Sequence, residues 1–216
     1  SRHGLQAGYR VGLFMSNHPA VLEIVIGCWW AGLAVVPVNP KLHPQEAHYI
    51  LGHSGAALAF VTDDIGPELA STRPAGGALR EIISVQQPAY AQLLDGPALL
   101  HPAKRAPDDL AWLFYTSGTT GQPKGVMLTH RNLMTMVLCY LADVDAARPQ
   151  DAVLYAAPMS HGAGLYGLPL VAVGGRHIVP ESAGFAAAEV LALARVHRDV
   201  CMFAAPTMVK RLVDQA

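Results

Sequence analysis

Charge is scarce in this chain. Only 14% of its residues are Asp, Glu, Lys or Arg, against roughly a quarter in an average soluble domain. The formal net charge is −1, so there is no electrostatic case for nucleic acid or an anionic membrane as partner. Cysteine is equally sparse: Cys28, Cys139 and Cys201 lie far apart in apolar contexts. They read as buried thiols of a reducing compartment, here the cytoplasm, and not as a disulfide framework. Long apolar runs are missing too. The most apolar stretch, Ile24 to Val38, contains Gly27, Gly32 and Pro37 and falls short of the roughly 20 residues a bilayer requires. A helix followed by a strand accounts for it better. No basic-then-apolar leader follows Ser1, so a signal peptide is not expected. Histidine is plentiful but scattered, and His43, His48 and His53 are spaced five apart, which suits no metal-ligand face of a helix. No metal site is expected among them.

What is present is apolar: 52% of 216 residues. That suffices for a substantial core in one large domain or two small ones, with apolar surface left for segments outside these residues. Short apolar runs alternate with helical patterns along the whole chain. Val11–Met15, Ala34–Val38, Leu58–Val61, Glu81–Val85, Leu110–Tyr115, Val126–Leu128, Val153–Ala156, Gly175–Val179 and Val200–Ala204 read as strands. Pro19–Ala31, Pro44–Gly52, Tyr90–Leu94, Leu165–Val173, Phe185–Val196 and Pro206–Val213 read as helices, and Asp63-Asp64 begins a short helix or turn. A further helix follows Thr129, with Leu133, Met136, Val137, Tyr140 and Leu141 on one face. Thr129 suits its N-cap, and Asn132 at the third helical position predicts no capping box. The pattern implies an α/β fold of mainly parallel sheets flanked by helices and joined by right-handed crossovers. The polar stretch Asp143 to Gln150 is the best internal boundary. It separates a first α/β sheet unit, residues 1–145, from an incomplete second one, residues 149–216.

The most informative stretch is Tyr115-Thr-Ser-Gly-Thr-Thr-Gly-Gln-Pro-Lys-Gly125. It is short, polar and rich in small residues, and it lies between two apolar runs. Gly118 and Gly121 let the backbone take φ > 0 and turn its N–H groups inward. Ser117, Thr119 and Thr120 supply hydroxyls, and Lys124 supplies one positive charge. Together they suit a polyphosphate. The spacing is not that of a Walker loop, which needs Gly-Lys-Ser/Thr after four intervening residues; here Pro123 precedes Lys124 and Gly125 follows it.

The order Tyr-Thr-Ser-Gly-Thr-Thr-Gly-x-Pro-Lys-Gly-Val resembles the phosphate-binding signature of the adenylate-forming superfamily: acyl-CoA synthetases, adenylation domains of peptide synthetases, and luciferases. Three other segments share the resemblance. Ala31–Pro40 looks like the early segment ending in a Pro-x-Asn-Pro turn. Pro158-Met-Ser-His-Gly162 looks like the Pro-Leu-x-His segment that lines the acyl pocket. Ala205-Pro-Thr207 looks like the Val-Pro-Thr segment bordering the same pocket. The family's Thr-Glu segment for Mg²⁺, its Thr-Gly-Asp segment for the ribose, and its C-terminal lysine are not in this sequence. The resemblance therefore implies a piece of the acyl-CoA synthetase N-terminal domain, inactive on its own.

The implied reaction has two halves. A carboxylate attacks the α-phosphate of ATP to give an acyl-adenylate and pyrophosphate, and the thiol of CoA then takes the acyl group. Backbone amides of 117–121, the hydroxyls of Thr116, Ser117, Thr119 and Thr120, the glycines Gly118 and Gly121, and Lys124 would bind the phosphates, with Lys124 as the catalytic cation. His161 and Gly162 would line the acid pocket, and Mg²⁺ would be held by a glutamate outside these residues. Amino-acid-activating relatives usually carry an aspartate after this strand. Pro158–Leu165 has no carboxylate, so a fatty or other non-amino acid is expected, with CoA as acceptor. An adenylation domain or acyl-AMP ligase serving a carrier protein is the alternative enzyme. A non-catalytic nucleotide-binding or interaction module is the alternative outside catalysis.

Overall fold

In the computed structural model, residues 4–116 and 122–216 are described. The chain divides into two compact units, Ser1–Asn132 and Leu133–Ala216. The first contains β1 (Arg10–Phe14), α1 (Ala20–Trp30), β2 (Ala34–Val38), α2 (Pro44–His53), β3 (Ala56–Val61), α3 (Gly66–Ser71), β4 (Glu81–Ser84), α4 (Pro88–Leu94), β5 (Leu110–Thr116) and β6 (Lys124–Thr129). α5 (His130–Asp143) spans the division. The second unit continues with β7 (Ala152–Leu154), α6 (Gly162–Tyr166), α7 (Leu168–Val173), β8 (Arg176–Ile178), α8 (Ala187–Val196), β9 (Val200–Cys201) and α9 (Pro206–Val213).

The first unit is a six-stranded sheet in the order β4-β3-β1-β2-β5-β6. β2 and β3 are buried at every position, which is why they read as unbroken apolar runs and not as alternating ones. Phe14, Val36, Val38, Val61, Leu113 and Tyr115 meet Ala47, Ile50 and Leu51 of α2 in one core. The strands from β4 to β5 pair in parallel. β6 departs from the all-parallel crossovers that strand–helix alternation implies, because it runs antiparallel to β5. The reason is length: a parallel return needs a dozen or more residues, and only residues 117–123 separate the two strands.

Two local expectations are sharpened. Of the short helix or turn expected at 63–64, the structure has the turn. Asp63 accepts hydrogen bonds from Ser84 Oγ (2.5 Å) and Gln87 Nε2 (2.8 Å), and Asp64 accepts from Ser16 Oγ (2.5 Å). These carboxylates tie strand ends together, and α3 starts later, at Gly66. The helix expected over 165–173 is two short helices meeting at Gly167. Pro169 has no N–H to continue the first of them, and its ring would meet the carbonyl four residues back.

The second unit is a parallel three-stranded sheet, β8-β7-β9. Leu154, Ala156 and Val190 form its core, and Phe185, Met208 and Leu212 pack on them. Among the described residues no helix is long and apolar enough to cross a membrane.

Candidate functional site

In the first unit, the expected phosphate-binding residues that the structure describes sit on a hairpin stem. β5 is buried through Tyr115 and emerges at Thr116, and β6 begins with an exposed Lys124. The ladder pairs Tyr115 with Gly125 and Thr116 with Lys124. Directly opposite residues of an antiparallel pair project from the same face. Thr116 and Lys124 therefore project from the same face where the connection leaves and returns. Ser117, Gly118, Thr119, Thr120 and Gly121, the remaining expected phosphate ligands, lie outside the described residues.

Below this mouth the stem is tethered. The Tyr115 hydroxyl lies 2.7 Å from Nδ1 of His53, the last residue of α2. The two rings meet edge to face at 5.9 Å, and the other side of the His53 ring stacks on Tyr49 at 5.5 Å and 19°. Burial raises the pKa of Tyr115, so the phenol keeps its proton, and the neutral hydroxyl shares this hydrogen bond with the imidazole nitrogen. The Tyr115 ring lies flat across its partner strand at Gly125. A β-carbon there would stand 3.0–3.2 Å from Cζ, Cε2 and the hydroxyl, so glycine is the residue that lets the ring lie down.

The three histidines spaced at five have separate local roles. His43 caps α2, accepting from Gln45 N, while Glu46 accepts from His43 N. His48 Nε2 is 3.0 Å from the Leu69 carbonyl. His53 holds Tyr115. Sequence reasoning quoted Tyr115 as the start of the loop but missed His53. The available signal was Gly125 inside a strand, which marks a close approach by a neighbour.

The expected acid-pocket residues, His161 and Gly162, belong to the second unit. After β7 the chain stays buried through Tyr155, Ala156 and Ala157, then turns at Pro158. His161 is the residue before α6, with Gly162 as the first helical position. Its Nδ1 is 3.0 Å from Ser160 Oγ, and burial lowers its pKa, so the imidazole is neutral near pH 7. Gly162 lies flush against Phe203: a β-carbon there would come within 2.7–3.1 Å of three ring carbons. Phe203 stacks on Tyr166 at 5.4 Å and 17°, and Tyr166 meets Tyr140 at 5.8 Å. Behind them, Tyr155 bonds to His177 Nδ1 at 2.8 Å with the two rings stacked. The ring that covers Gly162 comes from the segment after β9, and the rings stacked beyond it from α6 and α5, and no local pattern announces them.

The comparisons with known proteins agree along the whole length. The family model described as AMP-binding enzyme matches residues 1–216. The chain belongs to the AMP-binding enzyme family. Within that family it is 36% identical over 207 residues to a feruloyl-CoA synthase of an Amycolatopsis species, covering 95% of this chain and 40% of that protein. It is 37% identical over 131 residues to bacitracin synthase 2 of Bacillus licheniformis, covering 61% of this chain and 5% of that one. Among solved structures, the N-terminal domain of FACL13 from Mycobacterium tuberculosis superposes with a TM-score of 0.86 at 26% identity, covering 98% of this chain and 53% of that one. This AMP-binding chain thus spans about 40% of the length of the feruloyl-CoA synthases it matches.

Proposed function

We propose that the whole protein is an ATP-dependent acid–thiol ligase. It activates a non-amino carboxylic acid as the acyl-adenylate and passes it to CoA. The observation that carries this reading is the ladder end, where Thr116 pairs with Lys124 so that a hydroxyl residue and an ammonium residue share one face at the base of a Gly/Thr-rich stretch. A carboxylate approaching the triphosphate brings two anions together. Lys124, the hydroxyls of Thr116, Ser117, Thr119 and Thr120, and the amides around Gly118 and Gly121 offset that repulsion and hold the departing pyrophosphate. Each good donor contributes about 2–4 kcal/mol in the transition state.

In this reading the acid lies beside His161 and Gly162. The neutral imidazole of His161 adds no charge, and Gly162, lacking a side chain, lets the Phe203 ring lie flush against the backbone as an apolar wall. No carboxylate stands between Pro158 and Leu165 to meet a substrate ammonium, which favours a fatty or aryl acid over an amino acid. Mg²⁺ finds no cage here: among the described residues there is no group of three or more His, Cys, Asp or Glu able to hold a metal ion. No step is therefore assigned to it.

The match to bacitracin synthase 2 supports a second reading, an adenylation domain that loads a carrier protein. Pyrophosphate exchange by the whole protein, across a panel of acids and with or without CoA, tests both. Exchange with a non-amino acid and thioester formation on CoA is the expected result. Exchange with an amino acid and no CoA product would favour the carrier reading. Absence of exchange and of nucleotide binding would refute both.

A further inference from the structure

Resting on that reading, we propose that His53 is a positioning residue for the ATP-phosphate loop, acting through Tyr115. The argument is geometric. Among the described residues Thr116 and Lys124 are the last pair of the ladder. An antiparallel pair frays at such an end unless side chains hold it. Here the next pair inward, Tyr115 and Gly125, contributes one bulky side chain and one hydrogen atom. Cross-strand packing at this level depends on the Tyr115 ring lying over the Gly125 backbone.

Two contacts fix that ring. His53 Nδ1 and the Tyr115 hydroxyl share a hydrogen bond of 2.7 Å, and the His53 ring meets the Tyr115 ring edge to face. His53 itself is not free to swing: it is the last residue of α2 and stacks on Tyr49 one turn earlier. α2 in turn is anchored by buried Ala47, Ile50 and Leu51 in the same core as Tyr115. The chain of contacts runs from a rigid helix, through one imidazole and one phenol, to the strand backbone that aims Lys124. Without it the pair Thr116–Lys124 would sample more orientations. Only a fraction of molecules would then present the ammonium to the phosphates, which raises the apparent dissociation constant for ATP in inverse proportion.

The test compares His53→Ala, His53→Asn and Tyr115→Phe in the whole protein. Tyr115→Phe keeps the ring over Gly125 and deletes only the hydroxyl. His53→Asn puts an amide oxygen near the position of Nδ1 and can still accept from the phenol. Two readouts are needed. The first is amide hydrogen exchange at residues 113–116 and 124–127 without nucleotide, which reports on the tether whether or not the ligase reading is right. The second is the KM for ATP in pyrophosphate exchange, measured beside the KM for the acid. Expected are faster amide exchange and a KM for ATP raised about tenfold in His53→Ala and Tyr115→Phe. The acid KM should be unchanged, and His53→Asn should restore most of the loss. Unchanged amide exchange in both deletions would overturn the tether. Faster exchange with an unchanged KM for ATP would overturn the positioning role and leave a merely structural contact. If the wild type binds no nucleotide, the ligase reading fails and the positioning role with it, while the exchange data still decide the tether.

Discussion

Thr129 and Asn132 cap the start of α5 reciprocally: Asn132 Oδ1 accepts from Thr129 N at 2.9 Å, and Thr129 Oγ1 accepts from Asn132 N at 3.2 Å. This is a capping box with asparagine in the place usually held by glutamate or glutamine, and it corrects the expectation that position 132 would supply none. The Thr129 hydroxyl also donates to the same oxygen at 2.9 Å. Replacing Thr129 with alanine removes the side-chain half of the box. It is expected to lower stability by about 1 kcal/mol, read as a shift in the urea midpoint with an unchanged slope. A midpoint equal to wild type would show that the box is energetically idle.

Gly125→Ala tests the contact beneath the loop. The new methyl would stand 3.0–3.2 Å from the Tyr115 ring. The ring must lift off the strand or the strands must separate, at a cost of roughly 1–3 kcal/mol. The expected signs are a lower melting temperature and a weakened response to ATP. A variant that melts with wild type would mean the ring has room to move aside.

Gly167→Ala probes the other unit in the same way. A β-carbon at Gly167 would run into the Tyr155 hydroxyl and stand 2.9 Å from the ring carbon bearing it. That hydroxyl is committed to His177, and Tyr155 is fully buried. Here the clash has no outlet to solvent. Loss of stability at the upper end of the roughly 1–3 kcal/mol overpacking range is expected, greater than for Gly125→Ala. Equal or smaller loss, by thermal or urea unfolding, would contradict the difference in burial.

Stability should decline as pH falls through the histidine range. Burial is the leading cause that lowers the pKa of His48, His130, His161 and His177. At His130 the nearby Arg105 adds to the effect and Asp109 opposes it, while the buried Nε2 has no hydrogen-bond partner. Above about pH 6.5 these groups are neutral whether the chain is folded or not, so they contribute nothing. Below it the unfolded chain takes up protons that the folded one refuses, and stability falls until pH reaches the lowered folded values. Urea unfolding between pH 7.5 and 5 should show this loss. A flat profile would mean that these rings protonate as readily in the fold as outside it.

Lys124→Ala is expected to slow pyrophosphate exchange by about 100-fold, the scale of losing one charged donor to the leaving group. The melting temperature should hardly change, because Lys124 is exposed. Exchange at the wild-type rate would remove Lys124 from the chemistry.

Sequence by itself determined the kind and order of nearly every element. Ala34–Val38 and Pro206–Val213 have the bounds their patterns predict, because an apolar run ended by Asn-Pro, or a helix opened by Pro, is decided by residues a few positions apart. The polyphosphate-like stretch was legible for the same reason: its glycines, hydroxyls and lysine are contiguous. Tertiary structure alone decided that β6 turns back antiparallel, that His53 reaches Tyr115 across 62 residues of chain, and that Phe203 closes over Gly162. Such contacts depend on the spatial order of the strands. Local propensity does not specify that order; it follows from which arrangement buries the most apolar surface without leaving backbone groups unpaired.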